Sequence, residues 1–213
     1  MSEPSTRSDA IEGGAEATPP SLLVVISGPS GVGKDAVIAR LRERGDRFRV
    51  PVTMTTRPPR PGERDGIDYI FVSPEEFARQ LAAGELLEHA EVYGQSYGVL
   101  RAQLRRALDG SDAVLQVDVQ GAATLRALLP DALLVFVVPD VPERLAERLR
   151  ARGADSDEEM ARRLAQAEAE LAQQERFDHV LPNVEGDLDA TVDALLGLID
   201  AERARSGRAP LEV

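Results

Sequence analysis

Residues 28–35, Gly-Pro-Ser-Gly-Val-Gly-Lys-Asp, have the types and spacing of a loop built to hold phosphates. Glycines at 28, 31 and 33 let successive backbone N–H groups turn inward around anionic oxygens, with Pro29, Ser30 and Val32 between them. The ammonium of Lys34 then reaches the β- and γ-phosphates of a nucleotide. Asp35 departs from the pattern, because Ser or Thr is usual there. The bland account is a glycine-rich turn with a surface lysine. Composition argues against it: among 25 lysines and arginines, Lys34 is the one lysine of the chain.

Thr55 to Glu63, Thr-Thr-Arg-Pro-Pro-Arg-Pro-Gly-Glu, is the second informative stretch. Its prolines fix φ and push the residues before them into extended geometry. At three residues per turn and about 3.1 Å of rise, Arg57 and Arg60 fall on one side about 9 Å apart. That spacing can grip one phosphate from two directions. A solvated loop with idle arginines fits the spacing equally well. A further cluster comprises Arg148, Arg150, Arg152, Arg162 and Arg163. Arg148 and Arg152 are four apart and share a helix face; Arg163 flanks an apolar stripe. Such a cluster can neutralise the charge that builds on a transferring phosphoryl group. A salt-bridged helix surface is the plainer reading for Arg150 and Arg162, with Glu147, Glu158 and Glu159 close by.

These residues need a scaffold. Leu22 to Ile26 reads as a strand buried on both faces, and Ala36 to Arg42 as a helix, so the glycine loop lies between strand and helix. A strand is expected at Phe48 to Thr53 and a short one at Asp68 to Val72. Ser73 caps a helix that starts at Pro74 and runs to about Ala83. Strands follow at Leu86 to Tyr93 and Ser96 to Val99, then a helix over Arg101 to Leu108. Ala113 to Asp118, Leu133 to Val138 and His179 to Leu181 are strands. Gln120 to Leu129, Pro142 to Arg152 and Leu188 to Arg205 are helices. Ser156 to Glu159 forms a capping box for a helix through Glu175, with Met160, Leu164, Ala167 and Leu171 as its stripe. This alternation implies a doubly wound parallel sheet. Residues from about 53 to 101 interrupt it and read as an inserted substrate lobe. Asp118 closes an apolar strand, the place where open α/β sheets bind ligands. Glu88 lies between Leu87 and His89, where an exposed carboxylate is the default. Tyr69 and Tyr97 read as half-buried strand residues.

At 213 residues the chain accommodates one sizeable α/β domain. No cysteine is present, which excludes disulfides and thiolate chemistry and suits a reducing cytoplasm. No apolar run approaches the roughly 20 residues of a membrane span, and the N-terminus lacks the pattern of a signal peptide. A cytoplasmic protein is therefore expected. The net charge of −12 argues against binding nucleic acid or membrane through the general surface. Residues 1–20 read as a disordered tail holding four acidic residues against one arginine.

Taken together, these residues resemble the guanylate kinase family, from about Leu22 to Arg205. The matching motifs, in order, are GPSGVGK, TTRPPRPGE, the Gly66-x-Asp68-Tyr69 run, LLEHAEVYG followed by SYG, VDVQGA, and RLRARG with DS. The resemblance implies a P-loop nucleoside monophosphate kinase: an α/β fold with a doubly wound parallel sheet, a GMP-binding lobe over about 53–101 and a lid over about 148–165. The domain would span 21–206, with a C-terminal tail at 207–213. Its reaction would move the γ-phosphate of ATP to GMP, with magnesium. Gly28 to Lys34 would cradle ATP, with Asn183 near the adenine. Thr53, Arg57, Arg60, Tyr69 and Tyr97 would serve GMP, its phosphate above all, and Glu88 would read guanine N1–H and the 2-amino group. Asp118 would serve the ribose side or the metal, and Asp35 the metal. Lys34, Arg57 and the lid arginines Arg148, Arg152 and Arg163 would act on the transferring phosphoryl group.

The departures are Asp35, Gln116 where an acidic residue is frequent, Val99 where Ser or Thr is frequent, Thr53 for Ser, and Pro182 for Val. Two rival readings stand beside the family. A ribose 1,5-bisphosphate phosphokinase fits Asp35 and Val99. A non-catalytic binding module of similar fold would lack an intact ATP loop, and Lys34 argues against it.

Overall fold

A computed structural model describes residues 20–92, 94–151, 157–205, 207 and 209–213. The tail expected over 1–20 lies outside the described residues but for Pro20, as do Arg152 and Ser156 of the expected lid.

Strands β1 (Leu23–Ser27), β2 (Phe48–Arg49), β7 (Asp112–Gln116), β8 (Leu133–Pro139) and β9 (His179–Asn183) form one sheet in the order β2-β7-β1-β8-β9. Every pairing in it is parallel. Between β2 and β7 the chain builds a second sheet from β3 (Met54–Thr55), β4 (Ile70–Phe71), β5 (Leu86–Val92) and β6 (Gln95–Leu100), ordered β4-β3-β6-β5. There β3 pairs parallel with β4 and antiparallel with β6. The helices are α1 (Lys34–Glu43), α2 (Pro74–Ala82), α3 (Arg101–Leu108), α4 (Val119–Leu128), α5 (Pro142–Ala151), α6 (Asp157–Leu171) and α7 (Leu188–Ala204).

β1 shows why helices cover both faces of the first sheet. All five of its residues are buried, and successive side chains point to opposite faces. Val24 and Ile26 pack with Val37, Leu41, Leu195 and Ile199 of α1 and α7. Leu23 and Val25 pack with Leu104 and Leu125 of α3 and α4. The expected α/β fold with a parallel sheet is what the chain adopts. α1 and α7 are also tied at the surface, where Arg40 and Arg44 bind Asp189 at 2.8 and 2.5 Å. Those hydrogen bonds hold the Asp189 carboxyl well below the usual carboxylate range.

Two elements differ from expectation. The strand expected over 48–53 divides into β2 and β3, which belong to different sheets. Pro51, lacking an N–H, sits where the chain crosses between them. The helix expected through Glu175 stops at Leu171 and yields to a 3₁₀ turn at Gln174–Arg176. Its apolar stripe stands: Ala167 is buried in the core, and Met160, Leu164 and Leu171 pack against it. At the C-terminus, Leu211 and Val213 pack against the second core cluster, and Arg105 donates to the Val213 carbonyl.

β1 and β7 are neighbours and parallel, so the glycine loop after β1 and Asp118 after β7 emerge side by side. That is the crevice at the strands' C-terminal ends. The second sheet stands across it.

Candidate active site

A cavity of about 480 Å³ fills that crevice, a size ordinary for small-molecule sites, about 300–1,000 Å³. Gly28, Ser30, Gly31, Gly33, Lys34 and Asp35 form one wall. The second sheet and its loops supply Thr53, Arg60, Tyr69, Glu88 and Tyr97, and Gln116 and Asp118 enter from the end of β7.

The glycine loop is shaped by contacts that exclude side chains. Gly28 has φ +139°, and a Cβ there would stand 2.3 Å from the Val137 carbonyl oxygen. Gly33, the N-cap of α1, has φ +101°, and its Cβ would stand 2.3 Å from Asn183 Nδ2. That amide donates to the Val32 carbonyl at 2.7 Å, so the buried Asn183 braces the loop from behind. Val32 itself points into the core. Lys34 Nζ curls back over the loop, donating to the carbonyls of Gly28 at 2.5 Å and Pro29 at 3.0 Å. Arg148, on α5, donates to the same Val32 carbonyl at 3.2 Å and pairs with Glu185. Arg163 is half-buried on α6.

Across the cavity, Glu88 is not the exposed strand carboxylate of the default reading. It is 4% exposed, and its Oε1 is buried without a hydrogen-bond partner. Burial first, and then the charge of Asp118, push its pKa up to about 8. Asp118 caps α4, accepting the Gly121 N–H at 2.7 Å, and still borders the cavity. Gly121 is what lets Glu88 fit, since a Cβ there would lie 2.7 Å from Glu88 Oε1. Glycine inside a helix costs roughly 0.5–1 kcal/mol relative to alanine, a cost this steric need explains. Val99, 1% exposed, completes the wall beside Glu88.

Arg57 reaches the cavity through its neighbours. Its guanidinium binds Glu63 with both nitrogens, at 2.9 and 3.0 Å, and lies over the Tyr69 ring at 5.3 Å. Glu63 also accepts the Arg60 N–H at 2.6 Å, so one carboxylate sets both arginines of the loop. Tyr69 and Tyr97 meet edge to face at 6.2 Å. Burial, and then the charge of Asp35, push the Tyr69 hydroxyl up to about 12, so it stays a donor at neutral pH. Gln116 Nε2 donates to Asp35 Oδ1 at 2.8 Å. The two departures at those positions are thus in contact.

Two residues escaped the sequence reading. Glu63 closes the proline-rich stretch, and six residues from Arg57 is too irregular a spacing in a loop to betray a pair. Glu170 borders the cavity from α6. Its signal was available: it stands three residues after Ala167, a charge on the apolar side of that helix.

The chain matches known proteins along this whole frame. A family model described as guanylate kinase covers residues 21–202. A guanylate kinase of Thermobifida fusca is 46% identical over 192 residues, 90% of this chain and 97% of the relative. One of Symbiobacterium thermophilum is 44% identical over 191 residues, covering 89% and 90%. A chloroplastic/mitochondrial guanylate kinase 2 of Oryza sativa is 45% identical over 189 residues, which span 66% of that longer protein. The crystal structure of a guanylate kinase from Anaplasma phagocytophilum superposes with a TM-score of 0.72 at 32% identity, covering 89% of each chain.

Proposed function

The chain belongs to the guanylate kinase family, and from that premise we propose that it transfers the γ-phosphoryl group of ATP to GMP, giving ADP and GDP. One observation carries the reading: a single cavity holds a phosphate loop with its lysine and, across from it, a buried carboxylate with an unpartnered oxygen. The first suits a nucleoside triphosphate, the second a base edge that offers hydrogen-bond donors.

A GMP phosphate oxygen attacks the γ-phosphorus, the bond from that phosphorus to the β,γ-bridging oxygen breaks, and ADP departs with the bridging electrons. No covalent enzyme intermediate is needed. Lys34 leaves the carbonyls of Gly28 and Pro29 for the phosphates. Arg57, Arg60, Tyr69 and Tyr97 orient the GMP phosphate, Thr53 adds its hydroxyl, and Glu88 holds the guanine. Arg148, Arg152 and Arg163 stabilise the charge of the transferring group while closure of their segment excludes water. Asn183 keeps the loop seated.

The residues fit a magnesium ion. Asp35 and Asp118 both border the cavity and carry hard oxygen donors, and among the described residues no group of three or more Asp, Glu, His or Cys side chains is placed to hold a metal ion on protein ligands alone. Magnesium holds few protein carboxylates and keeps waters and substrate phosphates for its remaining positions. When bound, it would neutralise charge on the β- and γ-phosphates. We assign the protein to the cytoplasm on its lack of cysteine; among the described residues no helix is long and apolar enough to cross a membrane.

The test of the function is a coupled ADP-release assay with GMP, AMP and ribose 1,5-bisphosphate as acceptors. GMP alone is expected to support turnover. Turnover with ribose 1,5-bisphosphate instead would overturn the reading, and no turnover with any acceptor would favour a binding module.

The contact between Asp35 and Gln116 makes a second prediction. The carboxylate supplies the anion that the strand position lacks, and Gln116 aims it. Partners that orient a metal-ligating carboxylate are worth about 10–100-fold in metal affinity. Losing the carboxylate itself costs at least as much as losing its orienting partner, so Asp35→Ser is expected to raise the magnesium concentration for half-maximal ATP binding about tenfold or more. Adding Gln116→Glu should recover part of that loss. Titration calorimetry of ATP across a magnesium series measures both. Strict additivity of the two substitutions would show that the positions are not coupled.

A further inference from the structure

Glu170 is an acid placed where ATP phosphates would arrive. It is 6% exposed and borders the cavity beside Ser30 and Gly31. Its Oε2 accepts the Ser30 backbone N–H at 3.3 Å, and its Oε1 accepts from Gln166 Nε2 at 2.9 Å. A polar group is tolerated at such burial when its neighbours hydrogen-bond it, and here the loop itself is one of those neighbours. A phosphate loop aims several N–H dipoles at one point, so they repel one another until an anion arrives. An acceptor on the rim that draws one N–H outward relieves part of that repulsion and fixes the turn. Arg163 stands seven residues before Glu170 on α6, close to two helical turns, and so shares its face.

We propose that Glu170 is a positioning residue for ATP. By holding the Ser30 N–H it keeps the loop in the shape that receives phosphates. By standing on α6 it fastens the loop to the helix that carries Arg163. The role needs an acceptor of the right length and not a negative charge, which separates it from an electrostatic brake on nucleotide binding. It rests on the reading of Gly28 to Lys34 as the ATP loop.

The test uses the full chain with Glu170→Ala, Glu170→Asp, Glu170→Gln and Lys34→Met, reading ATP affinity by calorimetry and KM for both substrates. Glu170→Ala is expected to raise Kd and KM for ATP about tenfold, the scale of one orphaned buried donor, with KM for GMP unchanged. Glu170→Asp, shorter by one methylene and less disruptive to the fold, should show the same ATP-selective loss. Glu170→Gln should bind ATP within about twofold of the parent, because its amide oxygen can still accept. A glutamine variant that binds ATP tenfold more tightly than the parent would mean that the carboxylate opposes the nucleotide, and would overturn the proposal. So would equal losses for ATP and GMP. If Lys34→Met loses ATP binding while Glu170→Asp keeps it, the strut alone is wrong. If Lys34→Met binds ATP undiminished, the loop reading fails and the strut with it.

Discussion

Glu88→Ala is expected to lower kcat/KM for GMP by about 10⁴, the discrimination available to a site built around hydrogen bonds to its substrate. ATP affinity should survive. Glu88 borders the cavity with a carboxylate one of whose oxygens has no hydrogen-bond partner, and guanine presents two donors, at N1 and at the 2-amino group. Adenine offers an acceptor at N1 and only C–H at position 2, so AMP would leave the carboxylate unsatisfied. The raised pKa adds a signature in pH. Only the ionised carboxylate accepts both donors, and in the empty site it ionises near pH 8. GMP affinity in the parent protein should therefore rise with pH up to about 8 and level off above it, and GMP binding below that pH should release a proton. Calorimetry in buffers of different ionisation enthalpy counts the proton, and Glu88→Gln should abolish both effects. Undiminished GMP turnover in the alanine variant would remove Glu88 from the site.

Arg57→Ala should cost kcat/KM for GMP about 10²–10³, the usual loss when one preorganised donor to a reacting group is removed. The guanidinium is held on two sides, by Glu63 and by the Tyr69 ring, so its fork arrives already oriented. Arg60, whose side chain is exposed, should cost less, chiefly in KM. Neither change should move ATP affinity. Steady-state kinetics with each substrate varied in turn separates the two effects. Normal GMP kinetics in both variants would return the stretch to a solvated loop.

What the sequence made legible was local. Lys34 between a strand and a helix, Ser73 before Pro74 and the five-residue run of β1 each declare their structure within a few neighbours. Positions that depend on distant partners were opaque. Glu88 looked like surface because a strand with alternating neighbours does not reveal which face is covered; Gly121, thirty-three residues away, makes its pocket. The break of 48–53 into two sheets depends on long-range pairing that periodicity does not encode. Asp35 and Gln116 are both legible in the sequence as departures that could offset one another; that they touch, 81 positions apart in the chain, is legible only in the fold.

Three cations of this site are engaged before any substrate arrives: Lys34 by two loop carbonyls, Arg57 by Glu63, Arg148 by Val32 and Glu185. A ligand gains only the difference between its own contacts and those it displaces. Free inorganic phosphate, abundant in any cell, can challenge one of these arrangements at a time and gains little from each exchange. A nucleotide whose phosphates span the loop and the arginines makes several exchanges in one event, and each raises the effective concentration for the next. The site thus stays clear of the simple anion that is chemically closest to what it was built to move.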